Sequence, residues 1–351
     1  MIGDKTEITD RQLRTIADML VINGSLLGSS GLWYGKMGAA IFFFHYARYA
    51  GNELFEDYAV EIIQAIQAEI HKDSATDYDC GLAGIGAGIE YLSQNGFLAI
   101  NANEILADFD RRIRHDIMCQ EQENNSLADG MCGLGSYLLY RLNGFSSGAD
   151  KLYPLIKDSI IHTVNLLEKD QNLLPDDLPD ILSFLSRLYP LGICNSAIDR
   201  CMDKIWNDFS FRLIPDEQLP SWTLALLRLA PLRSQSADIA VQAVDKSLQA
   251  MEAHEEPRSN RQQVHTIHQL LWLLQCKRLI SQTNLNLDPD SSINAFVEKK
   301  FYIKDKELEL SFEKGKLSLK GYAGFGLAMM TLSGKCDDTW LDLLGYSYKS
   351  I

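Results

Sequence analysis

A glycine pattern returns four times along the chain, each time just ahead of an apolar stretch. Gly35-Lys-Met-Gly38-Ala-Ala recurs as Gly81-Leu-Ala-Gly84-Ile-Gly86, as Gly130-Met-Cys-Gly133-Leu-Gly135 and as Gly321-Tyr-Ala-Gly324-Phe-Gly326. The first three copies start 46 and 49 residues apart. Continuing that step finds apolar segments without the glycines at 178–192, 221–231 and 264–276. Self-similarity at a period of this size is the mark of stacked repeats. Between copies lie amphipathic segments such as 53–70, 103–118 and 152–169, with apolar residues at helical spacing. One repeat is therefore an outer helix followed by an inner helix, and the chain holds seven.

Helical hairpins stack into an open solenoid or close on themselves. An open stack needs polar end caps, whereas the last copy, GYAGFGLAMMTLSG, is as apolar and glycine-rich as the first. The expectation is an all-α fold, an α/α toroid of seven helical hairpins in which residues 1–351 form a single domain. At 351 residues and 46% apolar content the chain can bury a core of that size. Residues 301–320 break the pattern. Leu308, Leu310 and Phe312 alternate with polar residues, Lys314-Gly315 turns the chain, and Leu317 and Leu319 resume the alternation, which predicts a small β-hairpin near 307–320. The glycines read as packing residues, since positions i and i+3 share one face of a helix start. A phosphate loop is excluded: only three residues separate Gly31 from Gly35-Lys36, and Met37 follows the lysine.

The formal charge of −14 argues against a nucleic-acid partner, because backbone phosphates are bound by clustered Lys and Arg. A basic peptide or a neutral small molecule fits it better. Seven scattered cysteines without a C-x-x-C pair point to a reducing cytoplasm. The longest apolar run, AAIFFF at 39–44, is far too short to span a bilayer.

The repeats GLAGIGAGIEYL and DGMCGLGSYLLYRLNG resemble the lanthionine synthetase C-like family, and the resemblance extends over essentially the whole chain. It implies the seven-hairpin toroid, with helix starts facing a central cavity. In that family the cyclase adds a peptide cysteine thiol to a dehydrated Ser or Thr, using zinc held by two Cys and one His. Its motifs are S-W-C-Y-G before the fifth inner helix and C-H-G before the sixth, with a further His before the fourth. At the matching positions this chain has Ser221-Trp222-Thr223, Val264-His265 and Asp177, and no Cys lies between 202 and 275. The resemblance therefore implies a protein with no cofactor, its zinc site lost. It would bind a peptide or protein in the cavity as a non-catalytic accessory to peptide modification.

The remaining residues allow a second class. Asp77, Asp79 and Asp129 precede inner helices, where Asp commonly caps a helix. Paired carboxylates at such a place also serve as acid and base in the glycosidases built on related toroids. An enzyme with altered chemistry would use Asp77, Asp79, Asp129, Asp177 or His265 as proton carriers. His265 and His268 stand at i and i+3, and Cys80 and Cys132 lie at helix starts, but these read as polar lining and small packing residues rather than as metal ligands or nucleophiles. Trp33, Tyr34, Trp222 and Tyr322 flank inner-helix starts and are candidates, with His265 and His268, to line a peptide or sugar; core filling is the competing role.

Overall fold

The computed structural model describes residues 2–24, 27–119, 124–145, 151–207, 209–253, 260–300 and 316–345. In chain order the helices come in seven pairs. The first two pairs are α1 (Ile2–Asn23) with α2 (Lys36–Ala50) and α3 (Leu54–Glu69) with α4 (Leu82–Gln94). A single turn, α5 (Ala102–Ile105), leads into α6 (Ala107–Cys119) and α7 (Met131–Gly144). Then follow α8 (Leu152–Lys169) with α9 (Leu178–Leu188), α10 (Asn195–Asn207) with α11 (Leu219–Leu229), α12 (Ser234–Ala253) with α13 (Asn260–Ser281), and α14 (Pro289–Lys300) with α15 (Tyr322–Leu332). The second member of a pair is the more deeply buried: every residue from Leu82 to Leu92 in α4 and from Met131 to Leu142 in α7 is buried. The first member buries one stripe, as Ala59, Ile62 and Ile66 do in α3. No described helix is long and apolar enough to cross a membrane.

The chain divides into two compact units. Residues 1–74, 255–278 and 286–344 form the first, and the second consists mainly of residues 75–254. Neither coincides with one end of the chain, because the first unit joins the first repeat to the last. There α15 packs on α2, and a Cβ on Gly326 would come within 2.9 Å of Phe42 Cδ2. Lys320 N–H donates to Trp33 O at 3.1 Å, Ser318 Oγ to Gly35 O at 2.5 Å, and Trp33 Nε1–H to Leu343 O at 3.0 Å. The apolar character of both end repeats is thus used to seat them against one another. Phe43 and Tyr46 of α2 reach Phe55 and Tyr58 of α3, with ring centroids 4.8–6.0 Å apart.

In the second unit α4, α7, α9 and α11 pack successively on one another, with α6, α8, α10 and α12 against them. The contact between successive inner helices repeats the one at the seam. A Cβ on Gly86 would lie 2.5 Å from Tyr137 of α7, and one on Gly135 would lie 2.7 Å from Phe184 of α9. The last glycine of the motif is therefore a socket for an aromatic ring of the next inner helix. The first glycine has another task. Lys36, Leu82 and Met131 donate their N–H groups to Ser29 O, Ala75 O and Asn124 O, seven residues earlier, so each entry loop folds over its own helix start. Side chains at Gly35 and Gly81 would meet that loop's backbone, at 2.5 Å for Gly31 N and 2.6 Å for Ala75 O. In α9 and α11 the glycines give way to Pro179 and Pro220 in the first turn, where a missing N–H costs nothing.

The expected β-hairpin is corrected in its second arm. Lys316–Lys320 is a succession of turns with all five residues buried, and no described residue is in a strand. The first arm, 301–315, lies outside the described residues.

Candidate functional site

The folded-over entry loops place the sequence candidates at the inner-helix starts. In the second unit Asp77, Asp79 and Asp129 come together, because Tyr78 and Asp79 donate their N–H groups to Ala128 O of the next loop, at 2.9 and 3.0 Å. Asp77 Oδ1 accepts the N–H groups of Cys80 at 2.8 Å and Gly81 at 2.7 Å, so it anchors the start of α4. Asp79 is half-buried. Burial, a hydrogen bond with Asp77 and the charges of Asp77 and Asp129 push its carboxyl up to about 7. Two adjacent carboxylates resist ionising together, which leaves Asp79 exchanging a proton near neutrality. Asp129 is exposed and accepts from Ser126 Oγ at 2.5 Å.

Asp177 does not join this group. It is 3% exposed, and its Oδ2 accepts the Asn125 N–H at 2.8 Å, while Asp180 Oδ2 accepts the Leu127 N–H at 2.8 Å. Both pin the third entry loop to the start of the fourth inner helix. Cys132 is fully buried, and burial followed by the charges of Asp180 and Asp177 raises its thiol well above the ordinary range. That thiol is inert packing. Cys80 is exposed beside the acidic group.

Of the aromatic candidates, Trp33 and Tyr322 are 1% exposed and Trp222 is 5% exposed, so all three fill the core. Trp222 packs on Phe209 at 4.8 Å. Trp33 stacks under the Lys320 ammonium, 3.1 Å from the ring centroid. Tyr34 keeps partial exposure. His265 is exposed and shares a 3.1 Å hydrogen bond with Gln269 Nε2. His268 is held neutral by burial, which pushes it down to about 4, so its Nε2–H donates to Lys320 O at 2.8 Å. The two rings are thus directed at different protein groups.

The zinc of the family that the sequence resembles does not fit the side chains at the matching positions. Thr223 is fully buried, and its hydroxyl donates to Leu219 O at 2.8 Å and lies 3.1 Å from Ser247 Oγ of α12. A threonine hydroxyl is not among the usual zinc donors, and this one is turned into helix packing. Val264 has no donor atom in its side chain. Among the described residues no three His, Cys, Asp or Glu side chains converge as a metal would require.

Sequence reasoning missed the strongest polar constellation in the second unit. Arg141 of α7, enclosed by α4 and α6, donates to Asp110 Oδ1 and Oδ2 at 3.0 Å each, to Glu90 Oε2 at 2.5 Å and to Asn103 Oδ1 at 3.0 Å. Tyr137 adds a 2.6 Å bond to Asp110. The available signal was one arginine inside the apolar run SYLLYRLNG, with Glu90 likewise inside GIGAGIEYL.

Residues 28–180 match the family model for lanthionine synthetase C-like protein. Among solved structures nisin cyclase superposes with a TM-score of 0.68 over 97% of this chain and 98% of its own, at 15% identity. No curated protein sequence matches the chain. Nisin cyclase has an α/α toroid fold, and the described helices follow it. Residues 28–180 thus match a lanthionine synthetase C-like domain by sequence, and nearly the whole chain has the fold of nisin cyclase.

Proposed function

We propose that this protein binds a peptide or protein at its inner-helix starts and acts as an accessory to peptide modification, without the zinc-dependent cyclase chemistry. Thr223 carries the reading: the hydroxyl that stands where a zinc thiolate is expected is tied into the contact with α12. The exposed Asp129 beside Asp77 and Asp79, in a chain of charge −14, favours a peptide with basic residues. The protein works in a reducing cytoplasm, as its scattered free cysteines suggest.

The test is a dehydrated, cysteine-containing peptide incubated with the pure protein and zinc, then alkylated at free thiols and weighed. Addition of a thiol to a dehydrated residue leaves the mass unchanged, so alkylation is what reports it. The expected result is saturable binding with every peptide thiol still alkylated. Loss of alkylation in proportion to turnover would overturn the proposal.

Asp79 favours a second reading. A carboxyl that titrates near 7 beside a second carboxylate has the properties of a general acid. That reading requires hydrolysis of an oligosaccharide or proton transfer on a peptide that Asp79→Asn abolishes; an activity unchanged in that variant eliminates it.

A further inference from the structure

In the first unit the fold leaves three apolar side chains in water where α1 meets α3: Val21, Ile22 and Leu54 are 42%, 74% and 71% exposed. Tyr58 joins them. Its hydroxyl donates to Val21 O at 3.4 Å, and a Cβ on Gly24 would lie 2.7 Å from that hydroxyl, so the end of α1 abuts the first turns of α3. Leu54, Tyr58 and Glu61, at i, i+4 and i+7, share one flank of α3, beside the buried stripe of Ala59, Ile62 and Ile66. Apolar residues scattered singly are ordinary on a surface, whereas a contiguous group marks a contact. The charge around this group has one sign. From Asn52 to Ala68 the chain carries Glu53, Glu56, Asp57 and Glu61, all exposed, and no base. Asp18 lies one turn before Val21 and Ile22, and the last turn of α1, the negative end of its dipole, holds no basic residue. Arg14, a turn earlier, is the one base between Gln12 and Gly24.

We propose that this patch is the docking surface for a segment of another protein that presents apolar side chains bordered by lysine or arginine. The apolar side chains cover Val21, Ile22 and Leu54, and the bordering cations lie against Asp18, Asp57, Glu61 and the carbonyl end of α1. Charge selects that occupant over two others. A second copy would bring an equally acidic rim against this one, and an anionic membrane surface would be repelled by it. The patch lies on outer helices, so its occupant is a partner additional to the peptide proposed at the inner-helix starts.

The experiment titrates the full chain into a fluorescently labelled amphipathic peptide of leucine and lysine and reads anisotropy, with a leucine and glutamate peptide of the same pattern as control. The expected result is saturable binding of the lysine peptide that weakens as salt rises, and none of the glutamate peptide. Affinity falls about tenfold in Ile22→Ser with Leu54→Ser and about fivefold in Asp57→Asn with Glu61→Gln. It is unchanged in Asp129→Asn, which alters the exposed acid at the inner-helix starts. All four side chains replaced at the patch are exposed. Leu54→Lys, which sets a like charge against the peptide, repeats the test should the double serine variant lose its circular-dichroism spectrum. Equal binding of both peptides, or full affinity in Ile22→Ser with Leu54→Ser, overturns the proposal. So does a loss confined to Asp129→Asn, which moves the peptide to the inner-helix starts. A concentration-dependent dimer of the native chain that Leu54→Lys abolishes also overturns it, because the occupant is then a second copy. None of these failures alters the thiol-alkylation result at the inner-helix starts, so the two proposals fail separately.

Discussion

Replacing Arg141 with methionine would keep the volume of the side chain and remove its charge. Arg141 is fully buried, and Asp110 and Glu90 are each 2% exposed. Burial works against the guanidinium's charge, but the hydrogen bonds and charge of Asp110 outweigh it and keep the group cationic. Without the arginine, two carboxylates remain in an apolar contact between α4, α6 and α7 with four charge-assisted bonds lost. Breaking a buried pair by removing one partner costs about 3–5 kcal/mol, mostly as the penalty of the stranded charges. Replacing all the charges together, in Arg141→Met with Glu90→Gln and Asp110→Asn, should recover at least about 2 kcal/mol of that loss. The assay is hydrogen exchange by mass spectrometry on α7 peptides, backed by urea unfolding. The loss reads as exchange about 140- to 3,700-fold faster in the single variant, since each 1.4 kcal/mol is tenfold. A single variant that loses under 1 kcal/mol, or a triple variant no better than the single, would show that the charges are compensated elsewhere and refute the argument.

The glycine roles separate cleanly in a second set of variants. Gly35→Ala drives a Cβ into the backbone of its own entry loop and should cost about 1–3 kcal/mol in urea unfolding, whereas Gly28→Ala, with nothing within 4 Å, should be neutral; equal effects at both would remove the loop argument. Asp79 binds its proton more tightly in the folded chain than at its ordinary value of 3.8. The stability this gives is therefore complete below that value and is lost as pH rises through about 7. Asp79→Asn should raise the melting temperature at pH 8 by the equivalent of roughly 1–2 kcal/mol, discounted for solvent screening at this half-buried site, and leave it unchanged at pH 4. An equal gain at both pH values would mean that ionisation is not the cause. Trp33→Ala should lose about 3–5 kcal/mol and lower the melting temperature, with no defect confined to peptide binding; a fully stable variant that has lost only binding would restore Trp33 as a ligand contact.

The seven helix pairs were legible because each inner helix is a largely apolar run, set off by glycine in four of the seven. What the glycines do was legible only in part. Spacing shows that Gly81 and Gly84 share a face, but not that the entry loop folds back over Gly81, or that Gly86 receives Tyr137 from the next repeat. The strand reading of 316–320 failed for a physical reason. Alternation of Leu317 and Leu319 with polar residues signals one dry and one wet face, and here there is no wet face: Ser318 reaches Gly35 O and Lys320 lies on Trp33. Of the candidate site, the carboxylates Asp77, Asp79 and Asp129 were found together, since all three lie in the loops that enter the inner helices of two adjacent repeats. Asp177 holds a similar place, yet it faces inward, because Pro179 and a short turn at Pro175–Asp177 replace the glycine loop and redirect it. A linear pattern records which residues are apolar, but not which polar atoms a backbone will fill.

The seam between the first and last repeats sets a timetable for synthesis. Trp33 and its acceptor Leu343 are 310 residues apart. At about 5–20 residues per second the ribosome takes roughly 15–60 s to make the second after the first. Throughout that interval the socket partner Phe42 and the indole of Trp33 have been made, but the residues that cover them have not. The first repeat is thus made before the other six and is among the last to be covered, so its apolar face stays open while the rest are synthesised.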